Sequence, residues 1–177
     1  VKSMFFLSRN LTNLLKKNAS INDPSRIINI GSIEGIQVPP FETYSYAASK
    51  AAVHHLTRAL ARKLVSENIT VNALAPGPFP TEGAWARLSP KGDISEDSYK
   101  AIPLGRAGKM EELQNLATFL MADGCEYLTG QTIALDGAQY LSGGGTFSNL
   151  SELSDNDWSE IRDIIRKANN KDKKNRS

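Results

Sequence analysis

The sequence predicts an α/β fold: half of a doubly wound domain built on a parallel sheet. Three observations predict it. Helix and strand signals alternate in the order helix, strand, helix, strand, helix, strand, helix, and strands separated by long helices pair in parallel with helices over the sheet. The strand signals are short runs rich in apolar and β-branched residues, as buried strands require. The length, 177 residues with 40% hydrophobic and 23% charged, suits one domain with a sizeable core and excludes two full ones. Three strands make a small sheet for this class, which is why half a domain is expected.

Residues 2–17 place Met4, Phe5, Leu7, Leu11, Leu14 and Leu15 at roughly helical spacing. Lys16 and Lys17 follow where a helix end tolerates cations. The polar stretch 18–25 contains Pro24 and reads as a loop. Arg26 to Gly31 is the first strand, and 31–43 is a loop bearing Gly and Pro. The longest helix signal runs from about Tyr44 to Glu67, without Gly or Pro, with Ala48, Val53, Leu56, Leu60 and Leu64 as its apolar stripe. Ile69 to Ala75 is the second strand, stopped by Pro76-Gly77-Pro78-Phe79-Pro80. Residues 81–103 are weakly periodic and carry Trp85 and Leu88. A helix is expected from Met110 to Ala122, and Gln131 to Asp136 is the third strand. The turn Gly143–Gly145 and an amphipathic helix around Asp157–Lys167, with Trp158, Ile161, Ile164 and Ile165, end the chain.

Charge narrows the partners. Lys plus Arg is 21 and Asp plus Glu is 19, a net of +2. Residues 161–177 alone carry +5, which leaves residues 1–160 at −3. A mildly acidic body argues against a nucleic-acid partner, and the basic end reads as a solvated tail. Cys125 is the sole cysteine, so neither an intrachain disulfide nor a multi-Cys metal site is possible. It reads as a small buried or semi-buried thiol rather than a nucleophile. His54 and His55 would point about 100° apart on a helix, a poor ligand pair, so no metal is expected. No apolar run approaches the ~18 residues of a membrane span, and no signal peptide is visible. The chain reads as soluble and cytoplasmic, with no membrane partner.

Chemistry concentrates at one sheet edge. Tyr46 and Lys50 stand at i and i+4 on the long helix. A cation beside a phenol favours the phenolate, lowering a tyrosine from its usual value of about 10 towards the range of a general acid or base. The spacing by itself also fits a surface pair. Context decides: Ser32 lies where the first strand ends, and ligands of open α/β sheets bind outside the carboxyl ends of strands. The second strand ends at that edge with Pro76 and Gly77, a residue permitting close backbone approach, followed by Thr81. Asn72, within that strand, reads as structural.

These residues resemble the classical short-chain dehydrogenases/reductases. The likeness rests on Ile-Ile-Asn-Ile-Gly-Ser32, Tyr46-Ala-Ala-Ser-Lys50, the run from Asn68 to Gly77, Thr81, and Leu128 to Gly137. It extends almost continuously from Val1 to Gly137. It implies a Rossmann-type fold, an NADP(H) or NAD(H) cofactor, and hydride transfer to or from a carbonyl or alcohol carbon. By the resemblance, Ser32 hydrogen-bonds the substrate carbonyl and Tyr46 protonates the developing alkoxide. Lys50 lowers the Tyr46 pKa and binds the nicotinamide ribose. The backbone near Phe79 and the Thr81 hydroxyl hold the carboxamide, and Tyr46, Pro76 and Gly77 also belong to the cofactor site. Trp85, with Phe79 and Leu88, lines an acyl pocket or packs a lid onto the core. Preplaced donors facing a forming alkoxide are what such a reaction needs.

The family's glycine-rich phosphate turn is missing, because Gly143–Gly145 follows the last strand and opens no βαβ unit. The residue that selects NAD or NADP and the family's catalytic Asn would both precede Val1. The expectation is therefore the C-terminal half of a longer reductase: 1–137 a partial domain, 138–169 an extension with a helix, 170–177 a basic disordered tail. Such a piece should not turn over substrate alone, and the strand at Arg26–Gly31 should show an unpaired edge. The alternative of another class is a catalytically silent chain serving as an oligomer partner. Residues 26–81 look like bacterial β-ketoacyl reductases, and 76–166 like 2,4-dienoyl-CoA reductases, although the ordinary Tyr46/Lys50 spacing counts against dienoyl reduction. The leading substrate is a 3-oxoacyl thioester of CoA or ACP, with a dienoyl-CoA or a sugar or other alcohol as alternatives. In the resembled family the helix at 44–67 packs on its twin, so a homo-oligomer, dimer or tetramer, is expected, with Leu56, Leu60 and Leu64 available for the contact.

Overall fold

Three parallel strands organise the first of two units, Val1–Ser142 and Gly143–Ser177, in the computed structural model. It describes residues 1–39, 42–81, 99–100, 102–142 and 148–175. Strands β1 (Ser25–Ile30), β2 (Ile69–Pro76) and β3 (Thr132–Leu135) lie side by side in chain order. β1 pairs with β2 from Ser25 opposite Ile69 to Ile30 opposite Leu74. β2 pairs with β3 from Ala73 opposite Thr132 to Pro76 opposite Leu135. Parallel neighbours need a crossover. Helix α2 (Tyr44–Leu64) supplies the first and α3 (Met110–Met121) the second. All three strands therefore end at one edge of the sheet.

The central strand is buried along almost its whole length, with Ile69, Val71, Ala73 and Ala75 fully inside. Its near-continuous apolar sequence is what burial on both faces demands. Ala61 and Leu64 of α2 pack on Ile69 and Val71, flanked by Leu15, Ile27 and Leu60. Helices α1 (Lys2–Lys16) and α2 thus meet on one face. On the other, Arg26 reaches Asp123 and Glu126 beyond α3, at 3.2 and 3.7 Å. Leu60 and Leu64, two residues expected to be free for a second copy, belong to this intrachain core.

The buried face of α2 differs from the expected apolar stripe. It consists of Val53, His54, Thr57, Ala61 and Leu64, while Ala48 is exposed. The polar members are there because β1 buries a polar residue: Asn29 Nδ2 donates to Thr57 Oγ1 at 2.9 Å, and that hydroxyl donates to the Val53 carbonyl. A buried amide without a partner costs most of its desolvation energy. Thr57→Val keeps the shape and removes the acceptor, and it should lower unfolding stability by about 1–3 kcal/mol, measured by urea titration.

The outer edge of β1 pairs with no strand among the described residues. An open groove of about 310 Å³ runs between it and α1, lined by Met4, Leu7, Leu11, Ile28 and Ile30 among others. The apolar positions of α1 are consequently only partly covered, and Leu7 and Leu14 are exposed.

In the second unit, α4 runs from Asp155 to Asn175. The helix expected over 157–167 is longer and takes in most of the segment expected as a disordered tail. The Asp157 carboxylate accepts from both the Ser154 N–H and hydroxyl at its start. Lys173 and Lys174 sit in its last turn, where cations suit the helix dipole. The glycine run 143–145 lies outside the described residues. Among the described residues no helix is long and apolar enough to cross a membrane.

Candidate active site

The carboxyl edge of the sheet is assembled from the residue that ends β1. The Ile30 carbonyl accepts a hydrogen bond from Lys50 Nζ at 3.1 Å. Gly31 N–H donates to the Leu74 carbonyl at 2.7 Å. Ser32 then caps a short 3-10 turn, Ile33–Gly35, its Oγ accepting from the Glu34 N–H at 3.2 Å. The Ser32 O–H is a separate donor.

Two glycines seat this segment on α2. A Cβ at Gly35 would lie 2.6 Å from the backbone C of Lys50 and N of Ala51, and one at Gly31 would collide with the His54 ring. Only glycine allows the segment to lie that close to the helix. The approach brings the Ser32 turn onto α2 at the level of Lys50.

Tyr46 and Lys50 occupy the first turns of α2, and the Lys50 ammonium lies 5.5 Å from the centre of the Tyr46 ring. Tyr46 is 47% exposed, whereas Ser32 is 7% exposed. Lys50 therefore links the tyrosine ring to the last carbonyl of β1. A phenol, an ammonium and a hydroxyl share one edge, open on the tyrosine side.

The end of β2 contributes next. Gly77 N–H donates to the Leu135 carbonyl at 3.0 Å, carrying the ladder one residue past the strand. The Phe79 ring lies against Gly108, whose N–H donates to the Pro78 carbonyl at 3.0 Å. The Phe79 side chain thus anchors this loop to the start of α3. Arg106 grips Glu112 with two bonds of 2.9 and 2.6 Å. That guanidinium, with the Lys109 N–H, holds the Glu112 carboxyl down at about 2. Thr81 is exposed and ends this described stretch. Trp85 and Leu88 lie outside the described residues.

After β3 the Asp136 carboxylate accepts from the N–H groups of Ala138 and Tyr140, closing the third loop of the same edge. Asn72 is structural: it donates to the Leu128 carbonyl at 2.8 Å and accepts from the Gln131 N–H at 3.0 Å, pinning the approach to β3.

Ser32, Tyr46 and Lys50 are brought to one edge as their sequence positions suggested, and Pro76 and Gly77 end the neighbouring strand there. Sequence reasoning missed His54, which is buried at 4% exposure beneath the Ser32 segment. Its signal was present: Lys50, His54, Thr57, Ala61 and Leu64 recur at the 4, 3, 4, 3 spacing of one helix face.

Comparison with known proteins gives the family. A family model described as enoyl-(acyl carrier protein) reductase matches residues 1–138. The chain is 41% identical over 141 residues to the rhamnolipids biosynthesis 3-oxoacyl-(acyl-carrier-protein) reductase of Pseudomonas aeruginosa, covering 80% of this chain and 55% of that one. It is 36% identical over 131 residues to a probable 2,4-dienoyl-CoA reductase of Caenorhabditis elegans, covering 72% and 42%. A solved structure of Pseudomonas aeruginosa RhlG in an NADP active-site complex superposes with a TM-score of 0.73 at 40% identity, over 79% of this chain and 54% of that one. The chain spans about half the length of the curated relatives it matches. A family match over most of the chain, carried by the same parallel sheet, makes it a member of the classical short-chain dehydrogenase/reductase family.

Proposed function

We propose that the chain forms part of an NAD(P)(H)-dependent oxidoreductase that reduces a ketone to a secondary alcohol, with a 3-oxoacyl thioester of CoA or an acyl carrier protein as substrate. The observation that carries this reading is the seating of the Ser32 turn on α2 at Lys50, with Lys50 bonded to the last carbonyl of β1. Relatives named as 3-oxoacyl-(acyl-carrier-protein) reductases, at 41% and 44% identity, support the substrate class.

The residues present suit one end of a nicotinamide cofactor. A cation and hydroxyl groups stand at the carboxyl edge of a parallel sheet, where such ligands bind. Lys50 would hold the ribose beside Tyr46, Pro76 and Gly77 would border the cofactor, and the backbone near Phe79 with the Thr81 hydroxyl would hold the carboxamide. The cofactor supplies the hydride when bound.

The chain's own residues handle the oxygen. Ser32 donates its O–H to the substrate carbonyl, which fixes the carbonyl's direction and stabilises negative charge as it grows on oxygen. Tyr46 gives its phenolic proton to that oxygen. The Lys50 charge lies 5.5 Å from the ring centre. Its bond to the Ile30 carbonyl fixes where that charge sits. Trp85 remains a candidate for the acyl-binding wall.

The test is a substrate panel on the full-length protein. NADH and NADPH oxidation would be followed with a 3-oxoacyl thioester, a 2,4-dienoyl-CoA and a sugar ketone. Turnover is expected with the first, and Lys50→Ala should lower kcat and weaken cofactor binding together. Binding of neither dinucleotide would end the enzyme reading, and reduction of the dienoyl-CoA alone would replace the substrate.

A further inference from the structure

His54 is the buried titratable group that the chemistry above does not use. It is 4% exposed and lies under the segment that carries Ser32. The Ser32 N–H points at its Nε2 at a long 3.4 Å, and a Cβ at Gly35 would lie 2.8 Å from its Cε1. The ring thus lies against the Gly35 backbone as well. One imidazole therefore contacts both ends of the 3-10 turn. A nitrogen that accepts an N–H must be unprotonated, so the ring's single proton belongs on Nδ1.

The seam is longer than one contact. On successive turns of α2, Lys50 bonds the Ile30 carbonyl, His54 faces the Ser32 N–H, and Thr57 bonds Asn29. Three side chains of one helix face thus set the register between the end of β1 and the helix that carries Tyr46.

We propose that His54 is a positioning residue, whose neutral ring accepts the Ser32 N–H and holds the Ser32 hydroxyl in register with Tyr46 and Lys50. The proposal rests on the reading of Ser32 and Tyr46 given under Proposed function. Protonation at Nε2 would remove the acceptor and set two donors against each other, releasing the turn.

The surroundings favour the neutral ring. Burial pushes His54 below its ordinary 6.5; the Gly35 backbone opposes this, and the charges of Arg58 and Lys50 assist it. Those two cations lie on its own helix, and Glu34 belongs to the Ser32 segment. β2 carries no ionisable residue, and the only one on β1, Arg26, turns to Asp123. Since the folded value is lowered, the neutral ring's contribution is complete above pH 6.5 and is lost as pH falls from there towards the lowered value.

The experiment measures kcat and KM of the full-length enzyme against pH, in the direction of ketone reduction. In that direction Tyr46 is the proton donor. A loss of kcat on the acid side, below about pH 6.5, then reports a group that must be neutral. Wild type should show that acid limb. His54→Gln, which keeps an amide acceptor and cannot be protonated, should retain kcat within about 3-fold at pH 8 and lack the limb. His54→Leu, which lacks an acceptor, should lower kcat by about 10- to 100-fold with the cofactor KM little changed, as misplacement near a reacting group does. A wild type without the limb, a Gln variant that keeps it, or Gln and Leu variants that behave alike would overturn the proposal. If His54→Leu does not fold, the acid limbs of wild type and His54→Gln decide alone. Tyr46→Phe in the same assay separates the two readings. Retained turnover there condemns the site itself, whereas loss there with unaltered His54 variants condemns only the positioning role.

Discussion

Tyr46→Phe in the full-length protein should lower kcat by roughly 10²–10⁴ while leaving cofactor affinity nearly unchanged. The substitution keeps the ring, its volume and its half-exposed place on α2. The Lys50 ammonium keeps its aromatic neighbour and its bond to the Ile30 carbonyl. Only the O–H is lost, and with it the proton for the new alkoxide. An interaction made only in the transition state shows as a fall in kcat without a change in cofactor binding. Steady-state kinetics with a fluorescence titration of the dinucleotide give both numbers. If most of the turnover survives, the proton comes from another group.

The second large effect belongs to a residue with no chemistry of its own. Gly35→Ala places a methyl 2.6 Å from backbone atoms of Lys50 and Ala51. No rotamer relieves that contact, because the obstruction is helix backbone. The turn must lift from α2 and take Ser32 with it. Overpacking of this kind costs about 1–3 kcal/mol of stability. A displacement of the order of an ångström at a reacting group costs roughly 100-fold in rate. A melting curve and kcat measured on one preparation check both, and a variant with wild-type kcat would show that Ser32 need not sit on the helix.

Sequence pattern and structure part company at particular residues. The strands were legible because parallel strands buried on both faces are short apolar runs, and the ends of β1, β2 and β3 fall within a residue or so of expectation. Tyr46 and Lys50 were legible because a helix fixes what i and i+4 share. The inner face of α2 was not. An apolar stripe predicts a helix face only where the partner is apolar, and here β1 offers Asn29 and the turn after it the Ser32 N–H instead. Thr57 and His54 are buried as partners for those groups. The length of α4 was hidden by charge: Lys171, Lys173 and Lys174 read as a solvated tail, yet cations are tolerated at a helix end. Gly31 and Gly35 were visible only as loop glycines, since their closeness to α2 is a tertiary fact.

The most direct test of Ser32, Tyr46 and Lys50 as the carbonyl-handling end of a nicotinamide-dependent reductase is an isotope measurement. The full-length protein is incubated with NAD(P)H deuterated at the transferable position and a 3-oxoacyl thioester, and the product is read by mass spectrometry. The expected product is a 3-hydroxyacyl thioester bearing one deuterium on the carbinol carbon, formed by wild type and nearly absent with Tyr46→Phe. Recovery of unreduced ketone, or of a product deuterated elsewhere, would contradict that assignment.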